Sequence, residues 1–72
     1  MDVQTYTEYE TIDSVSNERL VTRERYEALA CYKAGDMVFE RHITLFTSSS
    51  YTQSQTVNIM AWHLNPNFRA ED

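Results

Sequence analysis

Apolar and polar residues alternate along residues 37–63, and this alternation predicts a β-hairpin whose two faces differ in character. When the hairpin is centred on Ser49, one face collects apolar side chains and the other collects polar ones. The predicted apolar face holds Met37, Phe39, Ile43, Leu45, Val57, Ile59 and Ala61. The predicted polar face holds Glu40, His42, Thr44, Ser54, Thr56 and Asn58. Because side chains in a strand alternate between the faces of a sheet, this sorting indicates a sheet with one buried side.

Three apolar residues interrupt the predicted polar face at its far end. Val38, Met60 and Trp62 lie there together, on the side that should meet water. An exposed tryptophan beside two apolar side chains is typical of a binding hot spot, so these residues are candidate partner-binding residues. The alternative is a chain that twists after Ala61 and places Trp62 in the core, or a cover formed by the first strand or by Phe68.

The residues before the hairpin predict one strand and one helix. Residues 5–12 are rich in β-branched and aromatic types and read as a strand, placed at an edge because neither of its faces is cleanly apolar. Residues 22–34 read as a helix, with Thr22 as the N-cap and Gly35 as the left-handed residue that ends it. As an alternative, residues 18–22 form a short strand that pairs with residues 5–12.

Together these elements predict an α+β fold of order β-α-β-β, in one domain that covers residues 1–72. The expected sheet has three strands of the antiparallel type, and the helix is expected to pack on the apolar face of the hairpin. The expected contacts join Tyr26, Leu29 and Ala30 of the helix to Phe39, Ile43, Val57 and Ile59 of the hairpin. A serine-rich loop over residues 47–51 joins the hairpin strands, Pro66 ends the second strand, and residues 67–72 are expected to be a frayed tail.

The small size of the chain favours a stabilising supplement, either self-association or a permanent partner. A domain of 72 residues buries only about 60% of the surface that its unfolded chain exposes. Cys31 is the lone cysteine, and no Cys/His cluster offers a zinc site, so neither a disulfide within the chain nor a metal or other cofactor is expected. We therefore expect self-association, most simply as a symmetric dimer. A lone reduced cysteine, no signal-like N-terminus and no long apolar run fit a cytoplasmic protein without membrane contact.

The charge balance disfavours direct nucleic-acid binding. The net charge is −5, with 11 acidic residues against 6 basic ones, whereas phosphate contacts require lysine and arginine. The rival interpretation is a nucleic-acid-binding cluster of Arg19, Arg23 and Arg25. Glutamates interleave with these arginines, a pattern typical of a solvated helix face.

An acidic stretch near the N-terminus offers a second set of candidate partner-binding residues. Glu8, Glu10 and Asp13 lie on or next to the first predicted strand. Carboxylates spaced along a strand can imitate phosphates and bind a protein that handles nucleic acid. The alternative is an edge strand whose charge only prevents unwanted pairing and keeps the protein soluble.

Glu40 and His42 are the candidate residues for catalysis. They are neighbours on one face of a predicted strand, and a carboxylate beside an imidazole can orient a general base. Cys31 lies near the C-terminal end of the predicted helix, where the helix dipole does not activate a thiol, and is better explained as a small buried hydrophobe. Charged residues on a strand pair with neighbours more often than they form active sites, so catalysis by Glu40 and His42 is not expected. One glycine also cannot form a phosphate-binding loop.

The sequence therefore favours a small, acidic, non-catalytic protein that binds another protein as a regulator or inhibitor. Small acidic chains of this kind are common in phages and other mobile elements, so the expected target is a host protein that handles nucleic acid. Two rivals stand beside this interpretation: a nucleic-acid-binding protein that uses Arg19, Arg23 and Arg25, and a small enzyme subunit that uses Glu40 and His42.

Overall fold

The computed structural model describes residues 2–48 and 53–70. Over these residues the chain forms four strands, one α-helix and one short 3-10 helix. In chain order they are β1 Asp2–Ile12, β2 Arg19–Thr22, α1 Arg25–Lys33, β3 Met37–Thr47, β4 Gln53–Ala61 and the 3-10 helix Trp62–Leu64. The strands lie in the order β2-β1-β3-β4, and all neighbours are antiparallel. The predicted α+β class is confirmed, but the described part of the sheet has four strands and not three.

The additional strand is β2, and it changes the position of β1 in the sheet. Arg19–Thr22 pairs with the last residues of β1, from Tyr9 opposite Thr22 to Ile12 opposite Arg19. The alternative that residues 18–22 form a strand is therefore confirmed. The prediction that the first strand lies at an edge is wrong for Tyr9–Ile12, which lie between β2 and β3, but residues 2–8 have a described strand partner only in β3.

A side chain closes the turn between β1 and β2. Oδ1 of Asp13 accepts hydrogen bonds from the backbone N–H groups of Val15 and Ser16, at 2.8 and 2.9 Å. Asn17 then takes a left-handed conformation with φ 63°, which asparagine tolerates better than most residues. This local chemistry allows a strand as short as β2 to fold back onto β1.

The helix begins at Arg25, three residues later than predicted, because Thr22 is the last residue of β2. The Thr22 hydroxyl oxygen still accepts a hydrogen bond from the N–H of Glu24, at 3.1 Å. At the other end, Gly35 has φ 100°, as the sequence predicted. The N–H groups of Gly35 and Asp36 donate to the carbonyls of Tyr32 and Cys31, which is the Schellman arrangement that ends a helix.

The hairpin of β3 and β4 keeps its predicted faces but pairs two residues further along. His42 lies opposite Asn58, whereas a hairpin centred on Ser49 would place it opposite Thr56. A shift of two residues leaves every side chain on the same side of the sheet, so the sorting of the faces survives. Of the predicted serine loop, residues 49–51 lie outside the described ranges.

The prediction that the helix packs on the apolar face of the hairpin is wrong, because α1 lies on the other face. The core that forms under the helix consists of Tyr9, Ala28, Leu29, Val38 and Trp62. Tyr26 is 69% exposed and Ala30 is exposed, so of the three helix residues expected in the core only Leu29 is there. Phe39, Ile43, Val57 and Ile59 face away from α1.

The lengths of the elements explain this reversal. A helix of 9 residues is about 14 Å long, since each residue adds about 1.5 Å. A strand of 11 residues is about 36 Å long at about 3.3 Å per residue. The helix therefore covers only one end of the sheet, and the local residues at that end decide the face. There the nominally polar face carries Val38 and Trp62, which supply the apolar contact.

The molecule is elongated, with extents of 45 × 27 × 19 Å over the described residues. The long strands β1, β3 and β4 extend past the end of the helix, and among the residues that the structure describes no helix covers either face of the far half of the sheet. In the part of the chain that the structure describes, no helix has the length and apolar character needed to cross a membrane.

Candidate protein-binding surface

Val38, Met60 and Trp62 do not form the exposed patch that the sequence predicts. Val38 and Trp62 are each 1% exposed, and of the three residues only Met60 is open to solvent, at 46%. The chain leaves β4 after Ala61 and enters the 3-10 helix, which carries Trp62 under the sheet. The alternative that placed Trp62 in the core is therefore confirmed. A role in partner binding for the buried side chains of Val38 and Trp62 finds no support in this geometry.

Aromatic rings surround Trp62. Tyr9 and Tyr32 each meet its ring edge to face, with ring centroids 5.6 Å apart. Phe68 stacks on it with a centroid distance of 4.3 Å and an interplanar angle of 18°. Part of the predicted frayed tail is thus packed against the core, and Phe68 supplies the cover that the sequence offered as an alternative.

Glu40 joins the core to the exposed part of the same face. Its Oε1 accepts a hydrogen bond from Nε1 of Trp62 at 2.8 Å and lies 3.4 Å from Nη1 of Arg25. Its Oε2 lies 2.6 Å from Nε2 of His42. Partial burial alone would raise the pKa of Glu40, but hydrogen bonds from Trp62 and His42 and the charge of Arg25 hold it below its ordinary value of 4.5.

The predicted neighbours Glu40 and His42 are in contact, and Thr7 extends the row. The Thr7 hydroxyl oxygen lies 3.4 Å from Nδ1 of His42. In the tautomer protonated at Nε2, His42 donates to Glu40 and accepts from Thr7. A hydroxyl, an imidazole and a carboxylate in this order can move a proton. The same carboxylate also satisfies the buried indole of Trp62, so the row has a structural function as well.

The acidic candidates Glu8 and Glu10 lie on the sheet face away from α1 and have cationic neighbours. Oε1 of Glu8 lies 3.0 Å from Nη2 of Arg41, and Oε2 of Glu10 lies 3.4 Å from Nη1 of Arg19. These contacts reduce the negative charge that the two residues present to a partner.

The third acidic candidate, Asp13, serves the turn between β1 and β2. Backbone hydrogen bonds from Ser16 and Val15 lower the pKa of Asp13. Its carboxylate is therefore engaged by its own turn. A contribution of Glu8, Glu10 or Asp13 to partner binding stays a prediction.

The three arginines of the rival nucleic-acid interpretation do not form one cluster. Arg19 pairs with Glu10, and the guanidinium of Arg23 lies 4.2 Å from the ring centroid of Tyr6, both on the face away from α1. Arg25 lies on the helix side, 5.1 Å from the ring centroid of Trp62. A phosphate backbone could therefore not contact all three from one side.

The sheet face opposite α1 carries the apolar side chains of the hairpin, and we name it the open face. The apolar side chains that belong to it are Tyr6, Val21, Met37, Phe39, Ile43, Leu45, Val57 and Ile59. Of these, Ile43 is buried, and Tyr6, Phe39 and Leu45 are half-buried. Among the described residues no helix or strand covers it. Ile59 is 58% exposed, Val21 51%, Met37 43% and Val57 38%. The alternation of residue types predicts that most of these residues share one face. The sequence also predicts that the helix covers this face, which would place them in the core.

β4 forms one edge of the sheet and is the most exposed strand. Each of its residues except Ala61 is exposed. Gln53–Ala61 has no charged residue, no proline and no glycine. Sequence reasoning identified the strand but not its position at the edge, although the absence of charge over nine residues was a signal that could have drawn attention to it.

The surfaces of this molecule thus divide into three candidates. They are the open face, the uncharged edge at β4, and the hydrogen-bonded row of Thr7, His42 and Glu40. Comparison of the chain with protein-family models, with curated proteins and with solved structures gave no match.

Proposed function

We propose that this protein is a small non-catalytic regulator that binds another protein through its open face. The observation that supports the proposal is the position of the apolar face of the hairpin, which α1 leaves uncovered. Several of its large apolar side chains are more than a third exposed, with Ile59 at 58% and Val21 at 51%. Exposed apolar side chains that gather on one face of a small protein typically mark a protein interface.

The charges on the open face favour an apolar protein partner. Although the chain has a net charge of −5, the carboxylates of Glu8 and Glu10 are paired on this face with Arg41 and Arg19. These two pairs compensate their own charges, and Arg23, whose guanidinium lies over the Tyr6 ring, adds a positive charge to the same face. The face therefore presents little unpaired positive charge to a polyanion. Regulation or inhibition of a host protein that handles nucleic acid, by a chain from a phage or another mobile element, is the more specific form of this proposal and rests on small size and acidity.

Affinity capture with matched baits tests the proposal. One bait is the wild-type chain, and a second carries Val21→Gln with Met37→Gln, two exposed positions of the open face away from β4. The matched control carries Val15→Gln with Leu64→Gln, which are 91% and 70% exposed and lie in other parts of the molecule. We expect a partner that binds the wild-type and control baits and is lost from the open-face bait. Equal recovery on all three baits would show that the open face is not the binding surface.

The same partner allows the nucleic-acid rival to be tested. Binding through phosphate contacts weakens steeply as salt rises, whereas burial of apolar surface does not. We expect capture to survive nuclease treatment and moderate salt. Loss of the partner under either condition, together with direct binding of the purified protein to DNA or RNA, would favour the role of Arg19, Arg23 and Arg25.

The row of Thr7, His42 and Glu40 supports a second candidate function, that of a small enzyme subunit with acid–base chemistry. Its imidazole is accessible, since the His42 side chain is 58% exposed. Hydrolysis of an activated ester such as p-nitrophenyl acetate is a direct assay. A rate above that of free imidazole, lost in both Thr7→Val and His42→Gln, would support this candidate. An equal rate in the wild type and in Thr7→Val would show that the Thr7 hydroxyl does not contribute to the reaction.

A further inference from the structure

We infer that β4 of one copy pairs with β4 of a second copy, in an antiparallel arrangement about a two-fold axis at Asn58. The two four-stranded sheets would then join into one continuous sheet. This inference goes beyond the proposed function, because it concerns the strand edge and not the open face. It also gives the predicted self-association a defined structural basis.

The first observation is that β4 has a free edge. It is the last strand in the order β2-β1-β3-β4, with β3 on one side and no described strand on the other. In an edge strand, alternate residues direct their N–H and C=O groups away from the sheet, and these groups form a template for another strand. Eight of its nine residues are exposed, so the described part of the chain leaves this edge accessible.

The second observation is that β4 has none of the features that usually prevent edge pairing. Natural edge strands are protected by charged residues, proline, bulges or short length. The opposite edge of this sheet follows the rule, because β2 has only four residues and begins with Arg19, and the part of β1 beyond β2 carries Asp2 and Glu8. Gln53–Ala61 has nine residues and neither charge nor proline. Two chains of net charge −5 repel each other over most of their surfaces, but not along this strand.

The third observation is that the sequence of β4 is complementary to itself. With the axis at Asn58, Val57 lies opposite Ile59 of the second copy, and Ile59 lies opposite the second copy's Val57. These side chains are 38% and 58% exposed in one copy, so cross-strand pairing would remove apolar surface from water. On the other face, the Asn58 amide would lie opposite its symmetry mate, where two amides can exchange hydrogen bonds. An axis at Val57 would instead place Gln55 opposite Ile59.

A second copy fits this edge better than it fits the open face. Packing of two open faces would cover both apolar surfaces, so that neither copy could bind the proposed partner through them. Edge pairing leaves both open faces accessible. A two-fold axis perpendicular to the sheet also keeps both open faces on the same side. The dimer would therefore offer one doubled apolar platform to a partner.

Charge placed at the axis tests the inference, because only residue 58 lies opposite itself in this arrangement. Asn58→Asp would set two carboxylates against each other, and Asn58→Lys would set two ammonium groups against each other. We expect each variant alone to associate on the order of tenfold or more weakly than the wild type, since like charges in contact across an interface are costly. An equimolar mixture of the two variants should recover the dimer, because opposite charges then meet at the axis. Sedimentation velocity over a micromolar concentration series measures the dimer, at about twice the 8.5 kDa chain mass.

Controls make every outcome decisive. Gln53→Glu and Gln53→Lys introduce the same charges on β4 beyond the paired stretch, and they should leave association unchanged. A wild type that sediments as a monomer at all concentrations would overturn the inference, as would single variants at position 58 that dimerise normally or a mixture that does not recover. The Val21→Gln, Met37→Gln chain should still dimerise, so failure of edge pairing and failure of the proposed partner binding can be told apart.

Discussion

The indole N–H of Trp62 donates a hydrogen bond to Oε1 of Glu40, and the two atoms are 2.8 Å apart. Trp62 is 1% exposed, so water cannot easily replace this acceptor. A carboxylate on the nominally polar face of a strand thus accepts a hydrogen bond from the largest side chain of the core. This bond explains how a face that carries Glu40 and His42 can also be the buried one, since the acceptor that Trp62 requires lies on the same face.

Removal of the acceptor should destabilise the protein. Glu40→Ala leaves the buried indole N–H unsatisfied, and we expect a loss of about 1–3 kcal/mol in the free energy of unfolding. Glu40→Gln retains a carbonyl oxygen of similar reach and should lose less. Urea denaturation of both variants measures the difference. Equal losses would show that the charge of Glu40, and not its acceptor oxygen, is what the fold uses.

Stability should fall in acid partly through Glu40. Partial burial acts to raise the pKa of Glu40, but its hydrogen bonds and the charge of Arg25 outweigh burial and lower it below 4.5. A lowered pKa in the folded state means that the ionised carboxylate favours folding. Its contribution is present above about pH 4.5 and is lost as the pH falls through the lowered folded value. Urea denaturation midpoints between pH 6 and pH 2.5 should therefore decline less steeply in Glu40→Gln. Asp13, whose pKa is also lowered, should leave a residual slope.

Trp62→Ala should be among the most damaging substitutions in the chain. It removes a ring that packs against Tyr9, Tyr32 and Phe68, and truncation of a buried aromatic side chain costs about 3–5 kcal/mol. Leu64→Ala is the matched control, because Leu64 lies in the same 3-10 helix and is 70% exposed. Circular dichroism and thermal denaturation should show an unfolded or barely folded Trp62→Ala chain and a nearly unchanged control. A stable, monomeric Trp62→Ala chain would contradict the burial of this residue.

Gly35→Ala should destabilise through the backbone alone. Gly35 has φ 100°, and an added Cβ would meet no other atom within 4 Å, so the expected cost is conformational and not steric crowding. We expect a loss of about 1–2 kcal/mol, typical of a side chain forced into the left-handed region. Asn17→Gly is the companion variant, since Asn17 has φ 63° and glycine accepts that conformation freely. The melting temperature should therefore fall in Gly35→Ala, and it should rise or stay unchanged in Asn17→Gly.

Local patterns predicted the elements of this fold better than their arrangement. The period-two alternation in β3 and β4 identified both faces correctly, and Gly35 marked the end of the helix, because each of these signals acts through neighbouring residues. The choice of face for α1 depended on which end of the sheet the short helix covers, and no local signal contains that information. β2 was a secondary alternative because Arg19–Thr22 is too short to show a convincing period.

For the candidate site, too, local contacts could be predicted from the sequence, whereas contacts that depend on the tertiary fold could not. Trp62 was recognised as unusual from its position in the alternation, but its role depended on the 3-10 helix that follows β4 and on the return of Phe68. The contact of Glu40 with His42 followed from strand geometry alone and is observed at 2.6 Å. The hydrogen bond of Glu40 to Trp62 joins residues 22 positions apart and depends on the tertiary fold.

The central pairing of β1 with β3 also has a kinetic consequence. Ile12 lies opposite Met37 and Asp2 lies opposite Thr47, so no part of this ladder can form before a long loop has closed. Loop closure costs entropy before the paired residues return any stabilisation. The chain should therefore refold in the range of milliseconds to seconds, slowly for its length, as proteins dominated by distant strand pairing do. Until that step, the hairpin of β3 and β4 leaves the edge of β3 that β1 later covers without a partner, as well as the edge of β4. Rapid dilution from denaturant at high protein concentration should therefore favour aggregation over folding.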